Sequence, residues 1–163
     1  MTNQEKIEKA VKVAMETQIR DDICARSTIY GLQSVFDFIP DELVNACASL
    51  AGGCGSASGS CGAYCSALLA VGLKFNSTMS EEAEDPSSFS KIPAAFNSFR
   101  ERFLKEMGTT LCPEIQKKLF GRSFKLYDPA EVRQFLSLEG HAEKCAEVVG
   151  TATRVAAEML VEG

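Results

Sequence analysis

Tryptophan is absent from this 163-residue chain, and histidine occurs once, as His141. One imidazole and no paired-carboxylate constellation leave little for hydrolytic acid–base chemistry, which argues against a hydrolase. Without indole, any visible or near-ultraviolet band would report a bound cofactor. Basic residues are the minority, 17 Lys+Arg against 22 Asp+Glu, for a net charge of −5. That balance makes nucleic acid and anionic membrane surfaces poor partners. Long apolar runs are missing too. The longest, Ala67-Leu68-Leu69-Ala70-Val71-Gly72-Leu73, is far short of the ~20 residues that span a bilayer, so no membrane span is expected. The first nine residues, Met1 to Lys9, are polar and mixed in charge, unlike a secretory signal. The expectation is a soluble, cytoplasmic protein.

Period-two alternation and Asn-Gly or Asp-Gly hairpin signals are also lacking, which removes the β classes. What is present follows helical spacing. Ile7, Val11, Ala14, Met15 and Ile19 form one stripe, and Asp21 or Asp22 can cap a second helix carrying Cys24, Tyr30 and Val35. Pro40-Asp41-Glu42 opens a third, and a Gly/Ser-rich loop over residues 52–60 precedes a central helix from Cys61 to Phe75, with Ser60 as its cap. Residues 76–91 are polar and acidic and read as an exposed connection. Phe96, Phe99 and Phe103 form a core stripe on a helix that Gly108 stops; Cys112-Pro113 starts the next, which Gly121 stops. Asp128-Pro129 opens a short segment, and the last helix runs from about His141 to Leu160. The predicted fold is all-α, a single helical domain over 1–163 built as a bundle of about six to eight helices.

Seven cysteines stand in this chain, too few for a disulfide scaffold and odd in number. In a reducing compartment such residues are small core groups, metal ligands or redox groups. Cys61 and Cys112 both fall at helix starts, where unpaired N–H groups and the dipole favour a thiolate; Cys61 reads either as a thiol of lowered pKa or as an inert cap beside a glycine loop chosen for close helix packing. Gly62 keeps the backbone beside Cys61 unobstructed. Cys65, four residues on, reads as a buried small hydrophobe or as half of a metal-binding pair. His141 precedes Cys145 by four residues on one helical face, either a ligand pair, a base beside a nucleophile, or a plain surface histidine. The glycine loop matches neither a phosphate loop nor a dinucleotide fingerprint, because no lysine follows and no βαβ pattern surrounds it.

Cys24-Ala25, Gly52-Gly53-Cys54-Gly55, Cys61-Gly62-Ala63, Phe99-x-x-x-Phe103, Leu111-Cys112-Pro113-Glu114-Ile115 and Cys145-Ala146-Glu147-Val148-Val149 occur in that order. In these segments, over residues 20 to 150, the chain resembles the C_GCAxxG_C_C family of redox-active proteins. The resemblance implies that Cys24, Cys61, Cys112 and Cys145 are the family's four cysteines. Serine stands at 66 where the family has its last glycine, and Cys47, Cys54 and Cys65 are additional.

Four thiols on four helical segments can meet inside a bundle, as bundle metal sites do. There are no Cys-x-x-Cys pairs for a zinc knuckle. Converging thiolates suit an iron–sulfur cluster or another soft metal ion, with Gly62 and His141 beside it; without metal they would form two reversible dithiols. Electron transfer or redox sensing with a partner protein is the leading expectation, with a homo-oligomer compatible with it. The alternative is a non-redox metal-binding or protein-interaction helical module.

Overall fold

A threonine three residues before a glutamate is a helix-start signature, and the chain opens with one. Thr2 Oγ1 accepts from the Glu5 N–H at 3.2 Å, and Glu5 Oε2 accepts from the Thr2 N–H at 2.7 Å. The computed structural model describes residues 1–163 and contains nine α-helices. They are α1 (Asn3–Asp21), α2 (Cys24–Gln33), α3 (Asp41–Cys47), α4 (Gly62–Phe75), α5 (Met79–Glu84), α6 (Lys91–Met107), α7 (Cys112–Phe120), α8 (Pro129–Leu136) and α9 (His141–Glu162). Short 3₁₀ turns lie at Ala48–Leu50 and Pro86–Ser90, and Ala51–Cys54 is a tight turn with both glycines at positive φ. The all-α expectation holds. The only extended pairing is one isolated antiparallel bridge between Ser60 and Leu111.

Small residues let the helices approach closely. α1, α2 and α4 surround α9, whose Ala146, Ala152, Ala156 and Ala157 are wholly buried. On α2, a Cβ at Gly31 would lie 2.5 Å from Ala14 Cβ and 2.6 Å from the Ala10 carbonyl oxygen, so only glycine permits that α1–α2 contact. The buried line of α1 is accordingly Ala10, Ala14, Thr17 and Gln18. Ile7, Val11 and Met15 are half-buried, and Ile19 and Tyr30 are exposed, unlike the expected stripes. Close packing chose the small side chains for the seam and left the larger ones at its margins.

α6 closes the other side. Tyr64 of α4 sits 5.5 Å from Phe99 and 5.1 Å from Phe103, ring centre to ring centre. Those two phenylalanines are fully buried, whereas Phe96 of the expected stripe is exposed. Residues 76–91 are largely exposed but regular, which adds the ninth helix. Thr78 and Glu81 form a second capping box over α5, and Asp85 Oδ1 accepts from the Ser87 N–H. Gly108 and Gly121 end α6 and α7 in left-handed conformation, as expected. α7 and α8 join through a cluster of Phe120, Phe124 and Phe135. No helix is long and apolar enough to cross a membrane.

Candidate functional site

The start of α2 is set by Asp22, whose left-handed backbone (φ 53°, ψ 41°) ends α1 and turns the chain. Cys24 is the first residue of α2, and its sulfur faces the start of α4. A Cβ on Gly62 would lie 2.9 Å from Cys24 Sγ and 2.6 Å from the Leu50 carbonyl oxygen. Gly62 is thus the residue that lets α4 begin against this thiol.

Cys61 and Cys112 are held by the isolated bridge. The Cys61 N–H donates to the Thr110 carbonyl at 2.7 Å, and the Cys112 N–H donates to the Gly59 carbonyl at 2.9 Å. Cys61, and not Ser60, is the cap residue of α4, because Ser60 is taken up by the bridge. Gly53 packs beside Cys112: a Cβ there would come 3.1 Å from Cys112 Cβ. Cys145 sits in the second turn of α9.

Cys24, Cys61, Cys112 and Cys145 all line one cavity of about 200 Å³. Its remaining wall is mostly apolar, with Leu126 and Phe135 among it, and Gln18, Asp22 and Gln116 supply polar atoms. Gln116 donates from Nε2 to Cys112 Sγ at 3.6 Å and accepts the Phe124 N–H on Oε1 at 2.8 Å. Gln18 donates from Nε2 to Asp22 Oδ1 at 2.9 Å, while its Oε1 is buried with no partner. That oxygen is an unsatisfied buried acceptor on a residue of the cavity lining. Neither glutamine stands out in the sequence, since each occupies an ordinary position in a helical stripe.

None of the seven cysteines is in a disulfide. No three His, Cys, Asp or Glu side chains converge as a metal ion requires. His141 is outside the cavity lining. Its Nε2 lies 2.7 Å from Asp22 Oδ2, and its ring packs 5.2 Å from that of Phe135. Of the readings open for His141, pairing with Cys145 is not the one seen: the ring partners a carboxylate, which pins α9 to the end of α1.

Burial dominates the thiols. It pushes Cys61 well up, with neighbouring Cys24 and Cys112 adding to the rise and the N–H groups of Tyr64 and Ala63 opposing it. Cys24 is raised by burial against opposing N–H groups of Gly52, Ala25 and Ala63. Cys112 is pushed up to about 12, by burial and then by Cys24 and Cys54, and Cys145 is raised for the same first reason. The lowered values that helix starts favour are not found. Removing a thiolate from water costs more here than a few N–H dipoles return. At neutral pH the cavity holds neutral thiols.

A family model described as "Putative redox-active protein (C_GCAxxG_C_C)" matches residues 23–159. The chain belongs to the C_GCAxxG_C_C family. Membership supports a general redox role, and the matched span contains all four cavity cysteines. Ser66, where the family pattern has glycine, is fully buried with its hydroxyl donating to the Ala63 carbonyl at 3.3 Å, so the substitution is accommodated within α4. No curated protein and no solved structure matches the chain.

Proposed function

We propose that Cys24, Cys61, Cys112 and Cys145 are the redox site of this protein and cycle between thiols and disulfides. The observation that carries the reading is that four cysteines, three on separate helices and one capping a fourth, line a single cavity. In each cycle two thiols lose two electrons and two protons and one S–S bond forms. The acceptor is the disulfide of a partner protein, reduced to two thiols. Both forms of the protein pair are uncharged, which suits an apolar wall that penalises thiolates. The reading assumes a reducing cytoplasm, in which seven cysteines can stay free.

Four sulfur donors are also the donor type of an iron–sulfur cluster or a soft metal ion, either of which would supply the positive charge that thiolates need. The separations fit poorly, since no three ligating groups converge.

The test is anaerobic purification, thiol counting before and after oxidised dithiothreitol or a protein disulfide, and iron, sulfide and zinc analysis. The expected result is a reversible loss of thiols at these four positions. Thiols at these positions that ignore oxidant would overturn the redox reading, and stoichiometric zinc with an unchanged thiol count would favour the metal-binding module. Stoichiometric iron and sulfide would reassign the four cysteines to a cluster.

A further inference from the structure

Cys54 and Cys65 are outside the four-thiol cavity and outside the four matched cysteine positions, yet they form the one thiol–thiol hydrogen bond in the molecule. Their Sγ atoms are 3.5 Å apart. Both are free and half-buried. A disulfide needs a separation of ~2.05 Å, and these two sulfurs start in near contact.

The backbone brings them together deliberately. Residues 52 through 56 all carry positive φ: Gly52 67°, Gly53 84°, Cys54 63°, Gly55 73° and Ser56 59°. Glycine takes this conformation freely, whereas Cys54 and Ser56 are held in it against their preference. The run coils the loop back on itself, with the Gly59 N–H donating to the Gly53 carbonyl at 2.9 Å and Cys54 Sγ donating to the Ser60 carbonyl at 3.5 Å. Cys54 thereby meets Cys65 at the end of the first turn of α4. The same loop supplies Ala51, Gly52 and Ser56 to the cavity wall.

We propose that Cys54 and Cys65 are a second redox-active dithiol, oxidised by a low-molecular-weight disulfide, whose closure staples the 51–60 loop to α4. Cys54, on the loop, attacks the small disulfide and releases one thiol, leaving a mixed disulfide. Cys65 then attacks the Cys54 sulfur and releases the second thiol. One S–S bond is broken and one formed, the two electrons pass to the small disulfide, and the two thiol protons end on its two halves. Cys65, half-buried and with its Sγ in contact with that of Cys54, is placed for the second, intramolecular attack. The inference does not depend on the four-cysteine reading.

The experiment treats the reduced full-length protein with oxidised glutathione, blocks remaining thiols with N-ethylmaleimide, and maps it with chymotrypsin. Cleavage after Tyr64 separates Cys65 from the loop. The expected result is a cross-link between the Cys54 and Cys65 peptides, with alkylation at both falling at least about tenfold. Cys61 shares the loop peptide, so Cys61→Ser protein must keep the cross-link, and Cys54→Ser must abolish it. The double variant Cys24→Ser, Cys112→Ser must also keep it, so failure of the cavity reading would leave this one standing. Cys65 joined instead to Cys47 or Cys61, or both thiols still fully alkylated, overturns the proposal.

Discussion

Cys24, Cys61, Cys112 and Cys145 come from opposite ends of the chain, line a common cavity, and form no thiol–thiol hydrogen bond with one another. Cys54 and Cys65 are 11 residues apart, stand outside that cavity, and are in contact. The first set is assembled by helix packing and the second by a local run of left-handed backbone. The difference separates two requirements of thiol chemistry. A shared environment sets protonation, and a sulfur–sulfur approach sets whether a bond can form. In this protein the cavity gathers four thiols in one apolar environment, and the loop holds one further pair already in contact.

The start of α4 brings a member of each set together, Cys61 at its cap and Cys65 within it, with Tyr64 between them against Phe99 and Phe103. Phe99→Ala should therefore disturb both regions together. Removing a fully buried ring of this size costs about 3–5 kcal/mol, which a denaturant midpoint would register. Alkylation rates at Cys61 and Cys65 should rise in parallel; a rise confined to one would show that the two regions are braced independently.

Gly62→Ala should split the comparison. The new methyl would sit 2.9 Å from Cys24 Sγ and 2.6 Å from a carbonyl oxygen, so backbone must shift, at a cost of about 1–3 kcal/mol. Cys24 is expected to become more reactive toward alkylating agents, with the Cys54–Cys65 cross-link unaffected. Equal loss of both would contradict the separation drawn above.

The finest effect concerns pH. Cys112 keeps its proton up to about 12 when folded, against an ordinary value of 9.0. An acid raised in the folded state stabilises the fold fully below the unfolded value, and that contribution is lost as pH climbs from about 9 toward 12. Stability should fall across this window, and Cys112→Ser should flatten the fall by at most about 1.4 kcal/mol per pH unit. Denaturation at several alkaline pH values reads this directly; an unchanged slope would mean that Cys112 is better solvated than its cavity position implies.

Much of the fold was legible in the order of residues. Gly108, Gly121, Asp128-Pro129 and the helical spacing mark helix ends by local steric and hydrogen-bonding preferences that act within a few residues. The acidic stretch 76–91 was legible as exposed and not as helical, because its capping box offers no apolar stripe to read. Phe96, Ile19 and Tyr30 were placed in stripes by spacing alone, which gives the periodicity of a face and not which neighbour covers it. At the site, the resemblance singled out the four cysteines that turn out to line one cavity. The Ser60–Leu111 bridge that seats two of them is a single residue pair between distant loops and leaves no periodic signal.

The chain order by itself determined the helices, their stops and the identity of the thiols, since these follow from dihedral preferences and spacing. Only the tertiary structure decided which sulfurs share a wall, that Cys54 meets Cys65, that His141 turns to Asp22, and that the helix-start thiols stay protonated. Those outcomes depend on desolvation and on contacts between distant segments, quantities that exist only once the helices have packed.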